Sequence, residues 1–491
     1  MSGRDAMGGA DAPPHTPYAI GFADLDNEVT IDQLPVEGDL PEWLSGTLVR
    51  NGPARYAAGN GRSLRHWFDG QAMLHRFEIA GGAVSYANRF VDTPNYRSLR
   101  DKGRIGYTEF ATDPCGNLFS RFFTRFFGGP GVNPAVNIVD FDESAAAVTE
   151  TPLAVEFDPA TLATLRVTDQ RDGLTGAVTT AHPHADPTTG SLVNYLLKFG
   201  RRSSYQVYRQ DADQRGRRLI GSVPVEQPGY VHSFAITQRY VVLVIFPLVV
   251  NPLSLLLSGR PFIENYRWRP ELGTRIVVID TTDGSTRGSY QTEACFAFHH
   301  INAWDDGDAV VFDLCSYPDA GVVDALYLDS LRGNRGVPLA VPTRFRVELA
   351  SGTVTREALA DEPMELPNIA YARCNGRPYR FAYGVGARDR SGHNFIDQLV
   401  KLDTTTGTTE SWHQDGCYPG EPVFVAMPTD AAEDSAAEDA GVVLSVVLDT
   451  NSGRSFLLIL AAGTFAELGR AHVPHAIPFG FHGRYTRTSK P

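Results

Sequence analysis

The sequence predicts an all-β fold built by radial repetition, and three observations carry that expectation. Short apolar runs rich in β-branched and aromatic residues recur along the chain, and helix-length amphipathic runs are few. A small polar turn containing glycine then separates one run from the next. The turn words are Phe77-Glu-Ile-Ala-Gly-Gly82, Val278-Ile-Asp-Thr-Thr-Asp-Gly284, Val347-Glu-Leu-Ala-Ser-Gly352, Val400-Lys-Leu-Asp-Thr-Thr-Thr-Gly407 and Leu458-Ile-Leu-Ala-Ala-Gly463. The last four return at intervals of about 50–70 residues, as hairpins of a repeated unit do, and the first is an early member of the set. Periodicity by itself leaves a propeller and a large sandwich both open.

Composition bounds the rest. With 42% hydrophobic and 21% charged residues in 491, the chain supports a large core and is not globally disordered. A net charge of -13 argues against nucleic acid, whose phosphates need a basic face. Five cysteines, an odd number with no Cys-x-x-Cys, point to a reducing compartment without a disulfide frame. The expected location is therefore cytoplasmic, with peripheral contact to a membrane. Residues 1–17, rich in Gly, Ala, Asp and Pro, read as a flexible arm before a single domain over 18–491.

Three segments need separate reading. Residues 240–259 are apolar enough to suggest a membrane span, but Pro247, Asn251 and Pro252 interrupt them. A buried strand followed by an exposed apolar loop is expected, the loop carrying Leu253, Leu255, Leu256 and Leu257. Phe119, Phe122, Phe123, Phe126 and Phe127 follow helical spacing with Arg121 and Arg125 between them. Such a helix either packs on the fold or lies in a membrane surface with its phenylalanines down, and Leu253 to Leu257 would make a second contact. The acidic stretch from Pro428 to Gly441 reads as a solvated hairpin connection.

Four histidines stand in sharply defined words: Thr-Ala-His182-Pro-His184, Tyr-Val-His232-Ser-Phe, Phe-His299-His300-Ile-Asn and Phe-His482-Gly. Each follows an apolar or strand-like stretch, and together they span three hundred residues. That pattern suits a metal held where distant parts of a fold converge, since imidazole is the commonest transition-metal ligand.

The same words, with Arg50-Asn51-Gly52-Pro53, His66-Trp67-Phe68-Asp69-Gly70, Glu365-Leu366-Pro367 and Gly420-Glu421-Pro422-Val423-Phe424, resemble the carotenoid cleavage oxygenases from about Tyr18 to Tyr485. Tyr107-Thr-Glu-Phe110, Asp113-Pro-Cys-Gly-Asn-Leu-Phe-Ser-Arg-Phe-Phe123, Thr149-Glu-Thr and Phe479-Gly-Phe-His482-Gly lean toward the animal-type branch, which holds β-carotene oxygenases and the retinal-pigment-epithelium isomerohydrolase. The resemblance implies a seven-bladed propeller capped on one face by loops and short helices. It assigns His182, His232, His299 and His482 as ligands of one Fe2+ per chain. The second histidines of their words, His184 and His300, would pack or hydrogen-bond nearby, and His66 and His75 would be structural. Four neutral imidazoles suit ferrous iron and leave two positions open; zinc fits less well. Glu150, Glu365 and Glu421 would orient three of the imidazoles, and the Thr149 methyl would crowd one open position.

The implied reaction is the addition of O2 across one conjugated double bond of a carotenoid or apocarotenoid, giving two carbonyl products. Central 15,15' cleavage of β-carotene to retinal is the first expectation. Off-centre cleavage, cleavage of a shortened apocarotenoid, retinyl-ester isomerohydrolysis and a non-catalytic propeller scaffold stay open beside it.

Overall fold

The structure is a computed structural model that describes residues 16–112, 131–141, 144–169, 172–211, 216–391, 394–428 and 437–488. Seven antiparallel sheets of four to six strands form the blades of a β-propeller, with one further two-stranded ribbon. Of the two architectures that periodicity left open, the propeller is the one observed.

The ring closes by interleaving the ends of the chain. Gly483–Arg487 pairs with Gly46–Arg55, while Val36–Gly38 adds to Glu467–His472 in the neighbouring blade. Unzipping either end therefore exposes a sheet edge in a different blade. Burial follows what each strand packs against. Ala83–Phe90 alternates between buried and less buried positions, whereas all six residues of Tyr240–Ile245 are buried, because both faces of that sheet are covered.

The five predicted turns are all hairpins within blades. Gly81 and Gly82 of the first are both left-handed, at +56° and +76°, and in the next three the single turn glycine takes a left-handed φ, +71° at Gly284, +76° at Gly352 and +72° at Gly407. Its N–H bonds back to the carbonyl four residues earlier, Asp280, Glu348 and Asp403 respectively. The Asp280 and Asp403 carboxylates also accept from Thr282 and Thr405 N–H, so aspartate nucleates the turn and glycine supplies the conformation. The last turn departs from this pattern: Phe465, not Gly463, is left-handed, at φ 55°. At Gly284 a Cβ would stand 1.7 Å from the Ile220 carbonyl oxygen of the adjacent blade. We expect Gly284→Ala to destabilise by roughly 3 kcal/mol or more. Gly453→Ala, at φ +66° with nothing within 4 Å, should cost only about 1 kcal/mol. Paired thermal midpoints check the difference.

The cap contains short helices at Pro94–Lys102, Gly321–Ala325 and Leu328–Arg332. Residues 240–259 differ from the expected strand and loop. A second short strand, Leu248–Val249, pairs with Arg267–Trp268, and the remainder is a helix, Pro252–Leu257, capped by the Asn251 side chain. Pro252 at the first helical position and the Asn cap explain why leucines that look like loop coil into a turn and a half. Leu255 is buried, while Leu253 and Leu257 are 62% and 81% exposed. No described helix is long and apolar enough to cross a membrane. The phenylalanine helix expected over 119–127 and most of the N-terminal arm lie outside the described residues. The acidic insertion is not wholly solvated: its described end anchors the preceding blade, where Glu438 accepts the Arg380 and Phe381 N–H groups and Asp439 pairs with Lys401 at 2.9 Å.

Candidate metal centre

Each blade sends one polar side chain to a common centre. In chain order they are Glu150, His182, His232, His299, Glu365, Glu421 and His482. Glu150 lies between Ser144–Val148 and Leu153–Phe157, and the other six sit at breaks or ends of the short strands nearest the centre. His182 and Glu421 both precede proline, which favours extended backbone and removes the next N–H from the ladder. Glu365 opens its strand beside Leu366, whose φ of 47° is strained for a side chain of that size and places its N–H on the Glu365 carboxylate at 2.7 Å.

The four histidines each offer one ring nitrogen, and these nitrogens lie within 4.8 Å of one another. The Nε2 atoms of His182 and His232 are 3.1 Å apart, and those of His299 and His482 are 3.2 Å apart. The opposite nitrogen of three rings meets a carboxylate: His232 Nδ1 to Glu150 at 2.6 Å, His299 Nδ1 to Glu365 at 2.5 Å and His482 Nδ1 to Glu421 at 2.7 Å. An acceptor on Nδ1 keeps the proton there and turns the Nε2 lone pair inward. His182 has no carboxylate partner among the described residues; its backbone N–H is held by Thr180 Oγ1 at 3.0 Å.

Three further residues complete the carboxylate shell, and the sequence reading did not assign them. Arg50 pairs with Glu421 and donates to the Phe481 carbonyl at 2.7 Å. Tyr230 donates to Glu150 at 2.7 Å, and Tyr317 to Glu365 at 3.1 Å. Arg50 stands in one of the quoted sequence words, so its signal was present without a role. Burial raises the Glu365 and Glu421 carboxyls, but the facing imidazoles and, for Glu421, the Arg50 guanidinium outweigh it and hold both below the usual carboxylate value. Burial and the neighbouring rings hold His182 well below the usual imidazole value, and burial holds His482 at about 4 despite Glu421.

The donor set fits a divalent metal on charge as well as geometry. Three carboxylates against the one guanidinium leave two negative charges around neutral rings, which a dication neutralises. The cluster is consistent with a non-haem iron site.

The other histidines of these words do bond nearby. His184 bonds Tyr371 and the Phe234 carbonyl, and His300 bonds Ser233. His66 caps the Trp67–Asp69 turn, and His75 meets Tyr86. Burial pushes His66 and His184 down to about 4 and His75 and His300 to about 3. Burial pushes Asp69 up to about 6 and Glu109 up to about 8. Below pH 6.5 the unfolded chain gains protons on four imidazoles that the fold refuses, outweighing two carboxyls on which the fold holds extra protons. Stability should therefore fall with acidification by roughly 3 kcal/mol per pH unit between about 6 and 5. Above about pH 7 the Glu109 carboxyl reverses the sign, and stability should decline gently toward pH 8. Thermal midpoints across pH 5–8 check the maximum near 7.

A cavity of roughly 320 Å³ reaches His232, His299 and His482. Trp67, Phe68, Phe110, Phe298, Phe395 and Phe481 line it, and Thr149 contributes to its wall beside Glu150. Leu253, Leu255 and Leu257 are not part of its wall, although Phe262, a few residues beyond them, lines the cavity.

The chain matches the family described as "Retinal pigment epithelial membrane protein" over residues 22–487. It is 34% identical to the mitochondrial carotenoid-cleaving dioxygenase of Macaca fascicularis, with 93% of each chain covered. It is 32% identical to the carotenoid isomerooxygenase of Galleria mellonella, covering 96% of each. The cobalt-substituted apocarotenoid oxygenase of Synechocystis superposes with a TM-score of 0.85 at 26% identity, over 96% of this chain and 99% of that one. The expected cytoplasmic location is overturned by these likenesses, because the Macaca relative and its Pongo abelii, Mustela putorius furo and Homo sapiens counterparts are mitochondrial. Thiol usage reports redox poise, which a cytosol and an organelle interior can share.

Proposed function

This chain belongs to the carotenoid cleavage oxygenase family, and from that premise we propose that it cleaves a carotenoid off-centre or cleaves an already shortened apocarotenoid. The coarser activity is that of a non-haem iron-binding, carotenoid-cleaving dioxygenase. The observation that carries this reading is the meeting of four imidazoles beside an aromatic cavity that three of them line. The likeness to an apocarotenoid oxygenase over nearly the whole chain favours off-centre or apocarotenoid scission over central cleavage to retinal.

In this proposal His182, His232, His299 and His482 hold one Fe2+, and Glu150, Glu365 and Glu421 fix three of the rings. Iron bound there supplies the activation of O2 that a chain of ordinary side chains lacks. The remaining work is positional. The aromatic walls exclude water and hold the polyene in one register, which selects the double bond that becomes two carbonyls. Thr149, in the wall beside Glu150, narrows the space where reactants meet.

Product chromatography with β-carotene and with β-apo-8'-carotenal tests the reading. Paired unequal apocarotenals, or turnover of the shortened substrate alone, are expected. Retinal as the sole product from β-carotene would overturn it, as would recovery of both substrates unchanged.

The same premise extends to the membrane in which such substrates dissolve. Leu253 and Leu257, four residues apart on one exposed helical face near the cavity-lining Phe262, support docking of that helix on a lipid surface. The double variant Leu253→Ser, Leu257→Ser should reduce sedimentation with lipid vesicles several-fold, while turnover of substrate in detergent is unchanged.

A further inference from the structure

The three carboxylates behind the histidines differ in how their oxygens are shared. Glu421 takes His482 on Oε1, and Arg50 and the Gly483 N–H on Oε2. Glu365 takes His299 and the Leu366 N–H on Oε2, and the Tyr317 phenol on Oε1 at 3.1 Å. Only at Glu150 does a second side chain compete with the imidazole for one oxygen. His232 Nδ1 and the Tyr230 phenol both donate to its Oε1, at 2.6 and 2.7 Å, and the phenol oxygen stands 3.3 Å from His232 Nδ1. Among the described residues the Glu150 carboxylate has no other donor, so the phenol is half of its hydrogen bonding. Tyr230 is 2% exposed, and Phe296, stacked at 6.3 Å, and Tyr266, edge-on at 6.0 Å, fix its ring.

We infer that Tyr230 is a positioning residue that acts on the iron through Glu150 and His232, its phenol hydrogen bond holding the resting metal as Fe2+. This rests on the reading of the four imidazoles as an iron site. A carboxylate on Nδ1 draws the ring proton toward itself and makes Nε2 a stronger donor. A stronger donor stabilises Fe3+ more than Fe2+, because the ion of higher charge gains more from the same lone pair. A phenol bonded to that carboxylate oxygen takes up part of its charge, so the imidazole bond weakens and the balance returns toward Fe2+. The phenol dipole also offsets the Glu150 charge seen by the ion, with the same sign, and burial leaves that effect little screened. The rival reading makes Tyr230 a core residue whose hydroxyl merely needs an acceptor. That role changes stability and leaves the potential of the metal where it was.

The test loads wild type, Tyr230→Phe and Tyr317→Phe with Fe2+ under argon and titrates each electrochemically. At a fixed potential the Fe3+/Fe2+ ratio of Tyr230→Phe should exceed that of wild type about tenfold, equivalent to about 59 mV for one electron. Tyr317→Phe removes a donor from the oxygen that His299 does not use, and should raise the ratio by roughly threefold or less. In air without substrate, one electron passes from Fe2+ to O2 to give Fe3+ and superoxide, and the ferric resonance should grow several-fold faster in Tyr230→Phe. Placing 3-fluorotyrosine at position 230 keeps the hydroxyl and makes it a stronger donor, so the ratio should fall below that of wild type. In iron-free protein the His232 Nδ1 proton should move downfield in Tyr230→Phe, as its bond to Glu150 strengthens. An unmoved or smaller ratio in Tyr230→Phe, an unmoved ratio with fluorotyrosine, or an equal rise in Tyr317→Phe overturns the inference while the iron reading stands. If wild type takes up no iron, the iron reading falls and this inference falls with it.

Discussion

Replacing His299 with alanine should leave a folded propeller that purifies with little iron and has lost more than about a thousandfold in turnover, equivalent to about 4 kcal/mol of barrier. His299 sits one residue before its strand, with Nδ1 on Glu365 and Nε2 in the cluster, so its loss removes one quarter of the donor set. The fold does not depend on it: the seven blades close through backbone pairing and apolar burial away from the centre. Elemental analysis, a thermal melt and product chromatography on one preparation separate the contributions. Near-stoichiometric iron with undiminished cleavage in His299→Ala would remove the four-imidazole reading altogether. Glu365→Gln offers a graded comparison, because it loosens the ring's orientation and should cost only about 10–100-fold.

Much of this centre was legible because ligation is a property of residue type and local word. Imidazoles followed by proline, serine, a second histidine or glycine mark places where a strand must stop and turn inward. The hairpins were legible for a similar reason: Asp280 and Gly284, or Asp403 and Gly407, encode their turn within five residues. What escaped depends on contacts across hundreds of residues. Arg50 meets Glu421 from a different blade, and Tyr230 and Tyr317 reach carboxylates that nothing local predicts. The Pro252–Leu257 helix was misread as a loop because five leucine and serine residues carry too weak a periodicity to declare a helix; only the Asn-Pro start marks it. Glu438 and Asp439 looked solvated because an acidic stretch gives no sign of which blade its end will meet.

Arg50 is where the second large effect is expected. Its guanidinium and the Glu421 carboxylate are both buried, and Glu421 also receives His482 Nδ1 and the Gly483 N–H. Arg50→Met should destabilise the fold by roughly 3–5 kcal/mol, because it strands a carboxylate that has no water to turn to. The loss should be larger in iron-free protein, where no dication offsets the three carboxylates. Arg50→Met combined with Glu421→Gln removes both charges and should regain most of the stability. It should not regain cleavage to the same extent, since an amide holds the His482 ring less firmly than a carboxylate does. Melts of the two single variants and the double variant, each with and without iron, give the coupling energy directly. If the two single losses simply add, Arg50 is a packing residue. If they cancel, the arginine sets the charge of the metal centre from a strand that supplies no ligand.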